Sequence, residues 1–398
     1  MKKHLSKIII ILALISLVGA SLYGHTPKGA DVESYLPEAL PGASSYELLV
    51  FESAANNYLY AGKDNTGGIL GYVTVTEGIG YGGAMTVVTG WTDDGTIKSM
   101  TLPLHRDDAP WIEKLYTQNF FEQYLDIKYD QPLVLGDDID AASGATVSSN
   151  GISMAVHQAR QLVSEHLGDP YPVPQEKIHF GLGEILLIIG LLSVVLARTV
   201  PALKRFKWSR YITLAFGLGV LGMWLSKSLS LTNFTTWFIS SPPHFATQIF
   251  LYIMVFGVIG LIVIFGKNMY CYWLCPFSAV QEVTYKLGRG GIKPQPGCYK
   301  KLRRTRYVIL WAALLLALAM ANPSVASFEP WGTLFSMAGT PIRWLLLFFA
   351  LAFSAFIYQF WCQYICPVGA VLDIVLKVRR EIKKLWTRIK PRRSTAQI

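Results

Sequence analysis

Hydrophobic residues follow two different patterns along the chain. Between about residues 45 and 167 they form short runs broken by glycines and polar residues, whereas the rest of the chain contains six nearly continuous apolar runs. A helix needs about 20 mainly apolar residues to cross a bilayer. The six runs therefore predict membrane helices, and they cover residues 8–23, 182–196, 211–225, 246–265, 307–321 and 344–360.

Charged residues alternate in step with these runs. Residues 24–181 contain 8 Lys and Arg against 21 Asp and Glu, although the whole chain has a net charge of +10. Basic clusters lie before the first run, between the second and third, between the fourth and fifth, and after the sixth. Because cytoplasmic loops carry the excess of Lys and Arg, we expect both termini inside a bacterial cell and residues 24–181 outside its cytoplasmic (inner) membrane. The basic residues then face anionic lipid, and we expect no nucleic-acid partner.

The first apolar run, in residues 1–23, has two interpretations. A basic start, an apolar core and the small residues at 18–20 are typical of a cleaved signal peptide. An uncleaved transmembrane anchor is the alternative, and the run alone does not separate the two. Either interpretation predicts that the domain after residue 23 is exported.

The region after this run predicts an exported α+β domain over residues 24–181, with its core at 45–167. Apolar and β-branched runs indicate strands, and a Thr-Asp-Asp-Gly-Thr turn at 92–96 indicates a hairpin. Helical spacing of apolar residues follows in two segments. The predicted strands cover 48–51, 69–75, 84–88 and 97–104, and the predicted helices cover 111–124 and 147–167.

The remainder predicts an all-α polytopic membrane domain of five helices over residues 182–380, followed by a basic cytoplasmic tail over 381–398. Residues 211–289 and 307–380 are similar to each other, which indicates a two-fold repeat of helix pairs. Two such copies would be related by an axis along the membrane normal.

A turn of small residues precedes the last predicted helix of the exported domain. It reads Asp-Ala-Ala-Ser-Gly-Ala-Thr from Asp140 to Thr146. The unpaired N–H groups and the positive dipole end of a helix favour phosphate binding at such a turn. Ser and Thr are also the usual N-cap residues, so the turn alone leaves an ordinary helix cap as the alternative.

The longer string Asp-x-x-Ser-Gly-Ala-Thr resembles the flavinylation motif of FMN-binding domains in Rnf complexes, sodium-pumping NADH:quinone reductases and NosR-like proteins. In that family the threonine carries FMN through a phosphoester bond, which a dedicated flavin transferase makes from FAD. The resemblance implies covalent FMN on Thr146, although residues 105–110 depart from the family's His-x-Glu-Thr-Pro. It also implies that the backbone near the flavin belongs to Gly82, Gly83, Ser143, Gly144 and Ala145.

Four of the five cysteines lie in two matching Cys-x3-Cys-Pro segments, 91 residues apart. Each segment follows an apolar run at its predicted cytoplasmic end, so the repeat would bring four thiols to one site. The fifth, Cys298, stands alone and is expected to be a free thiol. The four cysteines of the two segments are Cys271, Cys275, Cys362 and Cys366.

Three kinds of thiol site compete for these cysteines. A disulfide is disfavoured on the reducing side of the membrane. Structural zinc remains an alternative, but it prefers Cys-x2-4-Cys knuckles in soluble loops. Bacterial ferredoxin runs also end in Cys-x3-Cys-Pro, which favours one [4Fe–4S] cluster held by all four thiolates. The motif with its aromatic lead-in resembles the membrane iron–sulfur domain of NapH-like and NosR-like proteins.

These features predict a transmembrane electron-transfer protein, which would be the component of an oxidoreductase. Electrons would pass between a cytoplasmic or quinol donor and an exported reductase or redox carrier, through the cluster and the covalent FMN. The cofactors supply the chemistry, so no acid–base residue is assigned. The alternative is a NosR-like membrane redox sensor or maturation factor for an exported reductase.

Overall fold

The computed structural model describes residues 2–24, 32–53, 56–80, 82–107, 109–168, 180–239, 245, 248–288, 291, 296–337 and 339–389. The remaining residues include 25–31 and 169–179 of the predicted exported domain and 390–398 of the predicted tail. The chain divides into two compact units. The first comprises Met1–Ile178, Phe234–Thr247 and Leu315–Ala326, and the second comprises His179–Asn233, Gln248–Leu314 and Ser327–Ile398.

The first unit contains a five-stranded antiparallel sheet in which strands that follow each other in sequence are neighbours. Four of its strands coincide with the predicted ones, and the turn at 93–96 joins the last two as a hairpin. The second strand was not predicted, because it is buried along nearly its whole length and shows no polar alternation. The strands are β1 (Ser45–Glu52), β2 (Asn57–Lys63), β3 (Ile69–Ile79), β4 (Ala84–Thr92) and β5 (Ile97–His105).

Four helices complete the first part of the chain, together with two short 3-10 turns at Val32–Tyr35 and Phe121–Tyr124. The predicted helix over 111–124 is broken, because Asn119 adopts a left-handed backbone conformation with φ of +53°. Its apolar face is nevertheless buried as predicted, through Leu115, Phe120 and Tyr124. The helices are α1 (Lys2–Gly24), α2 (Leu36–Ala39), α3 (Ala109–Thr117) and α4 (Thr146–Leu167).

Helix α4 packs across β3 and closes the core of the sheet. The apolar residues that helical spacing predicts on its inner face are all buried in this core, namely Ile152, Ala155, Ala159, Leu162 and Val163. The hydroxyl of Thr76 on β3 donates to the carbonyl of Ala155 at 2.8 Å. A side chain at Gly78 would collide with the carbonyl of Gly151, so glycine is needed for this close approach of helix and strand.

The C-terminal region is helical, in agreement with the predicted sequence pattern. A π-helical segment, Gly217–Trp224, continues α7, and a 3-10 turn lies at Pro323–Ala326. The helices are α5 (Leu182–Thr199), α6 (Pro201–Arg205), α7 (Ser209–Phe216), α8 (Thr232–Ile239), α9 (Ile249–Phe265), α10 (Met269–Trp273), α11 (Pro276–Leu287), α12 (Pro296–Ala319), α13 (Pro330–Ser336), α14 (Pro341–Phe356), α15 (Phe360–Tyr364) and α16 (Pro367–Ile389).

Within the described residues, one helix is long and apolar enough to cross a membrane, namely α5. A second is obtained if α13 and α14, which meet at 104°, are counted together as one bent span. Shorter apolar helices cover Ile8–Gly24 and Ile249–Phe265. The predicted runs are thus helical, but several are shorter than a continuous membrane helix requires, or are bent or interrupted.

A buried arginine fixes α4 to the loop that follows Phe121–Tyr124. The Nε of Arg160 donates to the carbonyl of Tyr129 at 2.9 Å, and its Nη2 donates to the carbonyl of Gln131. Nη1 lies 3.4 Å from Nδ1 of His157. Burial lowers the pKa of His157 from 6.5 to about 4, and the positive charge of Arg160 contributes in the same direction. This histidine is therefore neutral in the folded domain.

Stability of the first unit should therefore fall as the pH falls from 6.5 to 4. In that window the unfolded chain binds a proton at His157 that the folded chain rejects, which costs roughly 3 kcal/mol by pH 4. Calorimetric unfolding of the full chain should show this loss in the wild type and in the exposed control His166→Gln, but not in His157→Gln. An unchanged pH slope in His157→Gln would contradict the assignment.

Candidate functional site

The turn that carries the flavinylation-like motif is set by Gly144 and the start of α4. Gly144 has φ of +79°, a left-handed conformation that favours glycine. Ala145 is the N-cap residue of α4 and makes no side-chain cap, so the predicted alternative of a Ser or Thr cap is not what the structure has. The first N–H groups of α4 therefore receive no hydrogen-bond acceptor from the side chain of the N-cap residue.

Two glutamines hold this turn from outside. Gln118 donates to the carbonyl of Ser143 at 3.2 Å and accepts from its N–H at 2.7 Å. Gln123 bonds Asp140 in the same way, at 3.1 and 2.8 Å. The backbone of the motif is thus fixed at two points, while the side chains of Asp140 and Ser143 stay exposed.

Thr146 is the first residue of α4, and its side chain is exposed. Its hydroxyl makes no hydrogen bond to any residue that the structure describes. The ammonium group of Lys114 lies beside Gly144, 2.6 Å from where a Cβ at that glycine would stand. An accessible hydroxyl at a helix N-terminus thus lies two residues along the chain from a glycine beside a cation, and this combination suits a phosphoester.

The glycine-rich segment, residues 78–85, which includes Gly82 and Gly83, is connected to this helix terminus by Asp107. This buried carboxylate accepts hydrogen bonds from the N–H of Gly82 and from the hydroxyl of Ser148 in the first turn of α4. A side chain at Gly82 would collide with the carbonyl of Arg106, and Gly83 has φ of +124°. Asp107 therefore joins two parts of the predicted flavin site.

The two cysteine motifs have the same local backbone. The N–H of Cys275 donates to the carbonyl of Tyr270 at 2.9 Å, and the N–H of Cys366 donates to that of Trp361 at 2.8 Å. Each second cysteine then accepts the first hydrogen bond of the helix after it, from Ala279 at 3.2 Å and from Ala370 at 3.3 Å. Proline follows each of these cysteines and suits the first helical turn, where its missing N–H would have no partner.

Hydrogen-bond donors point at the sulfur atoms. The N–H of Gly369 donates to Sγ of Cys366 at 3.3 Å. Cys275 is the N-cap residue of α11, so it lies beside the first N–H groups of that helix, and it makes no side-chain cap hydrogen bond to them. Such donors at a helix N-terminus stabilise a thiolate more than a thiol.

Gln281 connects the two motifs from the core of the second unit. It is fully buried, and its Nε2 donates to Sγ of Cys362 at 2.9 Å. Its Oε1 accepts from the N–H of Trp361 at 3.0 Å and from the hydroxyl of Ser354 at 3.1 Å. One side chain of α11 thus positions the first cysteine of the second motif.

The four thiols gather in one region of the second unit. Cys275 and Cys366, one from each motif, pack against the same buried cluster, and Gln281 of α11 donates to Sγ of Cys362. All four residues are partly buried and make no disulfide. Among the described residues, no three His, Cys, Asp or Glu side chains are close enough to hold a single metal ion. The donor set, four sulfurs with N–H donors around them, is of the kind that binds iron–sulfur clusters.

The first motif folds back beside the middle of two helices. Gly266, with φ of +65°, ends α9 and reverses the chain. Leu274 then packs against Gly217, where α7 becomes π-helical, and lies 3.4 Å from the Cβ position of Gly190 in α5. Leu274, within the first motif, therefore lies beside the middle of α5, while the motif itself occupies the link between the end of α9 and the start of α11.

Two similar groups of charged residues lie beside the motifs. Arg210 bonds both carboxylate oxygens of Glu282, and Lys286 lies 4.4 Å above the ring of Tyr211. The second group has the same composition. Asp373 and Lys377 lie one turn apart on α16, and Arg306 and Tyr307 lie next to each other on α12.

Several site residues were missed by sequence analysis. Asp107 could have been found, because it stands where the family's His-x-Glu-Thr-Pro has its glutamate, but its burial could not be known. The others carry no motif, since their role depends on contacts between segments distant in sequence. They are Lys114, Gln118, Gln123, Gln281 and Arg306.

Two family models match the chain at these places. The FMN-binding domain model matches residues 80–161, which include the glycine-rich segment and the motif ending at Thr146. The 4Fe-4S binding domain model matches residues 247–295 and 340–385, and each part contains one Cys-x3-Cys-Pro segment.

Curated relatives match about half of this chain or less. The regulatory protein NosR of Pseudomonas aeruginosa is 30% identical over 49% of this chain and 29% of its own length. NosR of Stutzerimonas stutzeri is 27% identical over 50% of this chain and 30% of its own length. A component of the ion-translocating oxidoreductase complex of Methanosarcina acetivorans is 28% identical over 42% of this chain and 98% of its own length. The chain thus spans about 30% of the length of the NosR proteins it matches.

Replacing Gln281 by leucine should destabilise the second unit. The substitution leaves the buried N–H of Trp361 without a partner, which costs about 1–3 kcal/mol. Unfolding of the full chain in mixed detergent micelles measures the loss. Gln363→Leu is the control, because Gln363 is half-buried and donates only to the carbonyl of Tyr358. Equal losses in the two variants would contradict the role given to Gln281.

Proposed function

We propose that this chain, in which an FMN-binding domain is fused to a NosR-like 4Fe–4S region, transfers electrons between the two sides of a membrane. A redox role follows from the two matched domains and from the NosR and Rnf relatives. The observation that carries the proposal is that one chain holds both an exposed Thr146 at a phosphate-binding turn and four converging thiols. The proposal extends to the direction of electron transfer and to the molecules that donate and accept the electrons.

We infer that FMN is attached to the hydroxyl of Thr146 by a flavin transferase. The hydroxyl is exposed and free of hydrogen bonds to described residues, so a transferase has access to it. Lys114 and the N-terminus of α4 would stabilise the phosphate, while Asp107 holds the glycine-rich segment in place. Bound FMN would supply one-electron and two-electron chemistry there.

We further infer that one [4Fe–4S] cluster is held by the four motif cysteines. The N–H groups at the start of α16, together with Gln281, would orient and stabilise the thiolates. The matching backbone of the two motifs and the matching ion pairs beside them support a two-fold repeat of helix pairs. A bound cluster would supply one-electron transfer.

The proposed setting is a bacterial cytoplasmic membrane. The alternation of basic clusters supports an FMN domain, residues 24–181, on the outer side and a membrane domain over 182–380, with the cysteine motifs opening toward the cytoplasm. Residues 1–23 would be a signal peptide or anchor, and 381–398 a cytoplasmic tail. A cytoplasmic donor or a quinol would supply electrons, and an exported reductase or redox carrier would receive them.

A regulatory function is the second candidate, because two relatives are named regulatory proteins. Electron transfer and regulation predict different kinetics of electron uptake. With a quinol donor and an artificial acceptor, an electron-transfer protein should give steady turnover, whereas a sensor should stop after its cofactors are filled once.

Covalent flavin should depend on Thr146. After coexpression with a flavin transferase, denaturing gels of the full chain should show flavin fluorescence in the wild type and none in Thr146→Ala. Thr66→Ala is the matched control, since Thr66 is an exposed threonine of the same unit that lies outside the motif and whose hydroxyl donates to Asp64 at 2.6 Å; it should keep the fluorescence. Fluorescence that persists in Thr146→Ala would show that the attachment site is elsewhere.

Iron content should depend on both motifs together. Cys271→Ala and Cys366→Ala, one from each motif, should both lose most of the iron and acid-labile sulfide, because they would ligate the same cluster. Cys298→Ala lies outside the motifs and should keep full iron. Full iron in either motif variant would rule out a single shared cluster.

A further inference from the structure

A buried arginine stands beside the cysteine site without a full set of partners. Arg306 is only 4% exposed, and its Nε makes no hydrogen bond to any described residue. Its Nη2 pairs with Asp373, which also lies 3.4 Å from Arg303. A cation buried this deeply with an open N–H donor is expected to face a negative group.

The guanidinium group is close to the second motif. The Cβ position of Gly369 lies 3.7 Å from Nη1 of Arg306, 3.3 Å from the carbonyl oxygen of Cys362 and 3.7 Å from Cβ of Cys366. The hydroxyl of Thr305, the residue before Arg306, donates to the carbonyl of Tyr364 inside the second motif at 2.8 Å. Among the described residues of the second unit, Arg306 is the one buried arginine or lysine.

We propose that the positive charge of Arg306 raises the reduction potential of the cluster and that the negative charge of Asp373 partly offsets this effect. The inference rests on the proposed function, because it needs a cluster on the four cysteines. When a four-thiolate cluster takes up one electron, it gains one negative charge, and no bond is made or broken. A buried guanidinium stabilises the more negative, reduced form, and therefore raises the potential.

The equivalent arginine of the first motif is arranged differently. Arg210 uses Nη1 and Nη2 on Glu282 and donates from Nε to the carbonyl of Tyr272 at 3.2 Å. Its guanidinium stacks on the ring of Tyr272 at 4.0 Å. Because its donors are occupied in this way, the structure gives the electrostatic role to Arg306 and a structural role to Arg210.

The test is an electron-paramagnetic-resonance redox titration of the full chain in detergent, with dithionite as the one-electron reductant. Arg306→Gln should lower the potential enough to change the oxidised-to-reduced ratio about tenfold, which is about 59 mV for one electron. Asp373→Asn removes the opposing negative charge and should raise the potential. Arg306→Lys keeps the charge and should restore most of the wild-type value.

The two main variants break the same ion pair, so a purely structural role would move the potential in the same direction in both. Shifts of equal sign in Arg306→Gln and Asp373→Asn would therefore overturn the inference, as would a shift in Arg210→Gln as large as that in Arg306→Gln. Iron and sulfide are counted in each sample. A wild type without a cluster would overturn the proposed function itself, whereas loaded variants with unchanged potentials would overturn only the role of Arg306.

Discussion

Both candidate sites depend on one constraint, which is the open N-terminus of a helix. Each such end leaves N–H groups without partners in the helix. In α4 the N-cap is Ala145, and in α11 it is Cys275; neither supplies a side-chain cap. The open donors face a turn that favours phosphate in the first case and a sulfur atom in the second. Small residues and proline at these positions keep the helix ends accessible.

Much of the fold is visible in the sequence because it depends on local patterns. Alternating and glycine-broken runs predicted four of the five strands, and helical spacing predicted the buried face of α4. Strand β2 was not predicted, because a strand that is buried along most of its length lacks the alternation of apolar and polar residues that identifies a strand. The predicted helix over 111–124 is interrupted because one residue, Asn119, takes a backbone conformation that its sequence neighbours do not signal.

The site residues divide in the same way. Thr146 and the four cysteines belong to continuous motifs, so spacing and resemblance predict a role for each of them, and these roles stay predictions. Gln281 and Arg306 could not be predicted, because each acts on residues more than 50 positions away in the chain. Such residues become visible only when tertiary contacts bring a buried donor next to a sulfur atom or a carboxylate. Supporting groups of this kind set the properties of a site that the motif only locates.

The exposed hydroxyl of Thr146 has a consequence for the order of assembly. The start of α4 is organised by backbone groups, by Ser149 and by the two glutamines, and the hydroxyl of Thr146 makes no hydrogen bond to its described surroundings. Esterifying that oxygen would remove nothing from the native fold. Under the proposed flavinylation, the bare domain can therefore reach its final shape before the cofactor arrives, and loading can follow in whichever compartment holds the transferase.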